Sequence, residues 1–182
     1  FLLQSESVKK VKVAELLGFS DTKLKLSSEV IQKTAFESYD LVKLIIRAEN
    51  EIPIPCLVYY PKKNSSNSDL IVLLNDEGKA KVASAKDIVA PFLNEGKIVV
   101  LPDLSGVGEY SDVPEQNDPK YWNKEYRNTM ISLHIGKTIT GQRVTDLVSV
   151  IQYFTSNLEN KDQSIQIHAN GIYGPIALYT GL

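Results

Sequence analysis

Strands of buried type alternating with segments of helical period set the strongest limit on this fold. Leu70–Leu74 and Ile98–Leu101 are continuous apolar runs, and Ile165–Ala169 reads as a third strand of the same series. Val82, Ala85, Val89, Phe92 and Leu93 lie between the first two at helical spacing, with Pro91 predicted to kink or restart that helix and Gly96 to end it. Val144, Leu147, Val148, Ile151 and Phe154 fit the i, i+3, i+4, i+7 template ahead of the third strand. An apolar helix is expected from about Tyr173. Strands joined this way run parallel through crossovers, so the class is α/β.

The N-terminal third has a different texture. Residues 7–17 read as a short amphipathic helix with Ser7 as N-cap, Val11, Ala14 and Leu17 on one face, and Gly18 where the helix stops. Val30–Phe36, Leu41–Ala48 and Ile54–Tyr60 read as a β-meander closed by Pro61, with Glu49-Asn50-Glu51 between the last two strands. The polar stretch 62–68 is a surface loop. The expected organisation is an N-terminal helix over 1–20 and an α/β domain over 21–182, with an antiparallel edge on a mostly parallel sheet. The closing PIALYTGL is almost wholly apolar, and a helix of that kind is usually sandwiched. The expectation is therefore the first part of a larger domain, or half of an assembly.

Composition removes several classes. The 20 basic and 22 acidic residues leave a net charge of −2 with no like-charge block, which argues against a nucleic-acid-binding surface. Apolar runs such as Leu70–Leu74 fall far short of the roughly 20 residues a membrane span needs. The single cysteine, Cys56, excludes a disulfide framework and a cysteine-based zinc site, and no metal or other cofactor is implied. The two histidines, His134 and His168, are the only ones available to any mechanism that needs an imidazole base from this chain.

Three stretches resemble a known family. Val99–Tyr110, VVLPDLSGVGEY, resembles the P-D-x-R-G-x-G strand and loop of α/β-hydrolases, and His168–Tyr179, HANGIYGPIALY, resembles their nucleophile elbow, G-x-S-x-G-G, with its helix. Between them, Gly141, Gln142, Arg143 and Asp146 are similar to the linker and Q-R-x-x-D helix of esterases of the acetyl xylan esterase and dienelactone hydrolase kind. The resemblance spans about residues 54–182. It implies an acyl-ester hydrolase acting on acylated carbohydrate, compatible with an exported bacterial protein.

The same alignment removes the chemistry. It puts Gly171 at the nucleophile, so no catalytic residue is assigned at the elbow. The family's order is nucleophile, acid, histidine, yet both histidines precede residue 171 and no Asp, Glu or His follows it. Each histidine is read as packed or capping. The oxyanion-hole equivalents are Asn75, Asp76 and Ile172, but the turn after the first crossover strand carries Asp76 and Glu77, whose charges oppose an oxyanion. Those two are read as turn and helix N-terminal residues, or as a site for a cation or sugar hydroxyls. Asp103 is read as a turn residue bonding its own backbone, with Gly106 and Gly108 permissive. Ser105 stands where the family places an anchoring arginine. Arg143 and Asp146 are read as a structural pair on a helix surface. Trp122 with Tyr110, Tyr121 and Tyr126 form either helix-to-sheet packing or a sugar-stacking platform. Three functions stay open: a hydrolase whose remaining catalytic residues lie outside this chain, a non-catalytic hydrolase-like domain used for binding or as structural support in a multi-domain protein, and an unrelated α/β module; a homo-oligomer is also compatible.

Overall fold

A computed structural model describes residues 5–18, 24–49, 51–63, 69–113, 115, 125–157 and 164–181. The boundary placed between residues 20 and 21, most of the 62–68 loop, and Tyr121 with Trp122 lie outside them.

Six strands form one mixed sheet. Strands β1 (Leu26–Ala35), β2 (Tyr39–Ala48) and β3 (Ile54–Pro61) make the meander, and β4 (Leu70–Leu74), β5 (Ile98–Pro102) and β6 (Ile165–Ala169) come from the crossovers. Their spatial order is β1-β2-β3-β5-β4-β6. The β4 strand pairs in parallel with β5 and β6, while β1–β2, β2–β3 and β3–β5 are antiparallel. The parallel trio and the antiparallel wing are both as the apolar pattern predicts.

Helices cover both faces. Helices α2 (Lys79–Ser84) and α3 (Lys86–Asn94) bury Val82 and Val89 against Leu57, Tyr59, Ile71, Val99 and Leu101. On the other face α5 (Ile139–Asn157) and α6 (Tyr173–Thr180) bury Val144, Leu147, Val150, Phe154, Tyr173 and Ile176 against the alternate residues of the same strands. Every residue of β4 and β5 is buried, which is why these two read as unbroken apolar runs. Helices α1 (Glu6–Leu17) and α4 (Tyr126–His134) rest on α5.

Several local expectations are corrected. Helix α1 starts after Ser5 rather than at a Ser7 cap, and it buries none of its residues, with Val11 fully on the solvent side. Only its C-terminal end is anchored: Leu17 packs on the core and its carbonyl accepts the Thr138 hydroxyl at 3.0 Å. The helical segment after β4 breaks at Ala85, and α3 runs through Pro91 to Asn94. Pro91 faces solvent, where helix carbonyls already tilt towards water and a missing N–H donor is tolerated. Strand β1 starts at Leu26, earlier than expected, and carries a bulge between Val30 and Gln32. Val30 and Ile31 are exposed.

Two outcomes follow from the packing. A Cβ at Gly141 would stand 1.6 Å from the Leu17 carbonyl oxygen, so Gly141→Ala must push α1 away. Urea denaturation of that variant is expected to show a loss of roughly 1–3 kcal/mol. At the opposite side, β6 is a sheet edge and Leu178 on α6 is 76% exposed. An open strand beside an apolar helix templates association, so light scattering should detect self-association of this chain, weakened by Leu178→Glu. A monomer at high protein concentration would contradict this.

Candidate functional site

The C-terminal ends of β4, β5 and β6 converge on one sheet edge, the usual ligand position in open α/β sheets. Three connections leave it: Asn75–Gly78, Asp103–Gly108, and Asn170–Ile172.

Asp103 joins the first two. It is 2% exposed, and its carboxylate accepts the Lys79 backbone N–H at 2.6 Å, the Lys79 ammonium at 2.6 Å and the Glu109 N–H at 2.9 Å. A Cβ on Gly108 would come within 2.1 Å of that carboxylate, so only glycine fits beneath it. The sequence reading of Asp103 as bonding its own loop therefore holds for Glu109 and misses the larger part, its grip on α2. Lys79 is buried as well, and no sequence signal singled it out.

Arg143 and Asp146 are not a surface pair. They are 3% and 2% exposed, because the face of α5 that carries both turns towards the strand ends. Arg143 Nε donates to the Ser105 carbonyl at 2.9 Å, and Asp146 Oδ2 accepts the Ser105 N–H at 2.8 Å. The guanidinium also bonds Glu125 at 2.7 Å and lies 5.8 Å from the ring centre of Tyr173, the first residue of α6. Together they hold a loop that lacks its own arginine at position 105.

Burial pushes the Asp146 carboxyl up from 3.8 to about 6, against the lowering effect of its bonds to Ser105. A folded-state value above the unfolded one means the native chain binds this proton more tightly. The stability linked to Asp146 is thus full below the unfolded value of 3.8 and lost as pH rises through about 6. Asp146→Asn, which keeps an oxygen for the Ser105 N–H, is expected to flatten that part of the stability-versus-pH curve. Parallel slopes for the two proteins between those values would refute it.

The third connection is the elbow. Gly171 has φ +62°, the left-handed region that glycine enters without strain. Asn170 continues the ladder to the Leu74 carbonyl at 3.2 Å, and α6 begins at Tyr173. A Cβ built on Gly171 would lie 2.7 Å from Asp76 Oδ2 and 3.1 Å from its Cγ. The Asp76 carboxylate therefore fills the volume into which an elbow side chain would project. No sequence signal pointed to this contact, since the two residues are far apart in the chain.

The remaining candidates are placed as follows. Asn75 turns its side-chain oxygen to the Glu77 N–H at 2.9 Å, which closes its own turn. Ile172 is exposed beside the elbow. His134 caps the end of α4 by its Nδ1 contact of 2.7 Å with the Met130 carbonyl oxygen, and His168 meets Phe92 edge-on at 5.1 Å between ring centres. Cys56 is buried, and desolvation holds its thiol protonated. Tyr110 closes a short 3-10 turn after β5, while Tyr126 begins α4. Among the described residues no group of three or more His, Cys, Asp or Glu side chains could hold a metal ion, and no helix is long and apolar enough to cross a membrane.

No protein-family model matches the chain, and no curated protein matches it. Solved structures do. A protein from Bacteroides fragilis described as an acetyl xylan esterase superposes with a TM-score of 0.76 at 16% identity, over 96% of this chain and 49% of that one. This is an α/β-hydrolase-like fold. Acetyl xylan esterase 1 of Thermoanaerobacterium (TM-score 0.62, 12% identity, 96% of this chain and 53% of that one) has the same α/β-hydrolase-like arrangement. So does a glucuronoyl esterase of Solibacter usitatus (TM-score 0.64, 14% identity, 98% and 55%). At these identities the likeness concerns the fold alone, and the chain spans about half the length of the structures it matches.

Proposed function

We propose that this chain is a catalytically silent α/β-hydrolase-like domain, related in fold to carbohydrate esterases and used for binding or structural support. Its partners would be acylated carbohydrate or other domains of a longer chain. The observation that carries the reading is the elbow: Gly171 offers no nucleophile, and the Asp76 carboxylate occupies the space above it. Nucleophilic catalysis needs an activated side chain, a base in reach and a group that orients the base. Position 171 supplies no nucleophile, His134 contacts the Met130 carbonyl, and His168 stands exposed on β6 with an edge-on contact to Phe92. A carboxylate at the oxyanion side further opposes the charge that develops in acyl transfer.

The second reading is an active acyl-ester hydrolase with its remaining catalytic residues outside this chain. What favours it is that the esterases of similar fold are about twice as long. It leaves the glycine unexplained.

The assay uses 4-nitrophenyl acetate and an acetylated sugar. The chain is expected to show no turnover above the uncatalysed rate. Turnover that disappears on substituting His134 or His168 would overturn the proposal. The contact with Asp76 adds a stability test. Gly171→Ser is expected to lose roughly 1–3 kcal/mol through its left-handed φ, with a further loss from the carboxylate. Asp76→Gly in the same chain should recover the second part only. Equal melting curves for the single and double variants would show that Asp76 does not occupy the elbow.

A further inference from the structure

We propose that a cleft beside α2, separate from the elbow, is a receptor for a small organic anion with an apolar body, and that Glu109 holds the anion's place on Lys79 until a ligand displaces it. The cleft measures about 600 Å³, within the range of small-molecule sites. Its floor and walls include Ile31, Ile45, Pro55 and Leu57 from the antiparallel wing, and Lys79 and Glu109 stand at its polar end. Neither Gly171 nor Asp76 lines it.

The ammonium of Lys79 has two carboxylate partners of unequal standing. Asp103 is 2% exposed and fixed by further N–H bonds from Lys79 and Glu109. The Glu109 side chain also bonds that ammonium, but it is 65% exposed. Its backbone N–H stays anchored on Asp103, so its side chain can swing out without disturbing the loop. With one partner in solvent, this pair is the weaker of the two on Lys79, since the Lys79–Asp103 pair is buried on both sides.

Charge decides the ligand class. A ligand carboxylate that takes the place of Glu109 keeps two carboxylates on Lys79, while the displaced Glu109 side chain turns to solvent. Of the cleft's three carboxylates, Asp103 and Glu109 are thus bound to Lys79 or turned outward, and a cationic ligand at the polar end would face the Lys79 ammonium, with Lys43 a second lysine in the lining. Glu77 at the rim is 59% exposed, where solvent and salt screen its charge. The apolar floor supplies affinity through buried area, at roughly 25 cal/mol per Å².

Phenylacetate, with phenylacetamide as its neutral isostere and benzylamine as the cation of similar shape, tests this by calorimetry and backbone amide NMR on the whole chain. Phenylacetate is expected to bind saturably at millimolar concentration, to shift the amides of Leu57, Lys79 and Glu109, and to bind at least several-fold more tightly than the other two probes. Lys79→Met should abolish binding, but it also strands the buried Asp103. The deciding variant is therefore the exposed Glu109→Gln, its fold checked by melting, which should tighten phenylacetate about two- to fivefold by removing the competitor. No binding, equal or tighter binding of the amide or the amine, shifts confined to other residues, or unchanged or weaker affinity in Glu109→Gln would each overturn the proposal.

Discussion

The carboxylate of Asp103 stands where the ends of β4 and β5 meet, and the geometry of the whole sheet edge depends on it. An isolated charge buried this deeply would cost several kcal/mol. Here it gathers the start of α2 through a backbone N–H, the Lys79 ammonium, and the turn at Glu109. Gly108 lies directly beneath and admits no side chain. Because the charge is satisfied only when all three donors arrive together, the two crossover loops have one mutual position. Arg143 and Asp146 do for the middle of the second loop what Asp103 does for its ends, reaching the Ser105 backbone from α5.

The turn from β6 to α6 lies at the same sheet edge. It has a left-handed residue at Gly171, and Arg143 ties α6 to the β5 loop beside the Tyr173 ring. The side chain absent at position 171 is matched by a carboxylate from position 76 lying over the same turn. Two positions distant in sequence form one packing unit, and a side chain added at 171 meets the Asp76 carboxylate.

Much of the architecture was legible because burial on both faces leaves a plain mark: β4 and β5 could be read from five-residue strands with no polar interruption. The elbow was legible from its glycines and the helix that follows. Charged residues in the interior were not. Arg143 and Asp146 are buried, yet in sequence they read as a pair on a helix surface, and nothing in the pattern marked the buried Lys79. Helical period reveals which residues share a face, and it does not reveal that a polar face has been turned inward to meet a loop. The Ala85 break and the tolerance of Pro91 were hidden for a related reason, since solvent exposure decides the cost of a missing donor and composition is silent about it.

The bulge in β1 has a consequence of its own. Val30 pairs with Leu44 and Gln32 with Lys43, so Ile31 is the surplus residue between two consecutive rungs. Strand faces alternate residue by residue, and a surplus of one exchanges inside for outside along everything beyond it. Residues 32–35 therefore present the opposite parity to the one a regular ladder would give them, while Ile31 is left to wall the cleft beside α2. The cavity's shape is in this sense an arithmetic matter. Shortening the strand by that single residue would restore an unbroken ladder, leave residues 32–35 on their present partners, and take away one side of the cleft without touching a charged group.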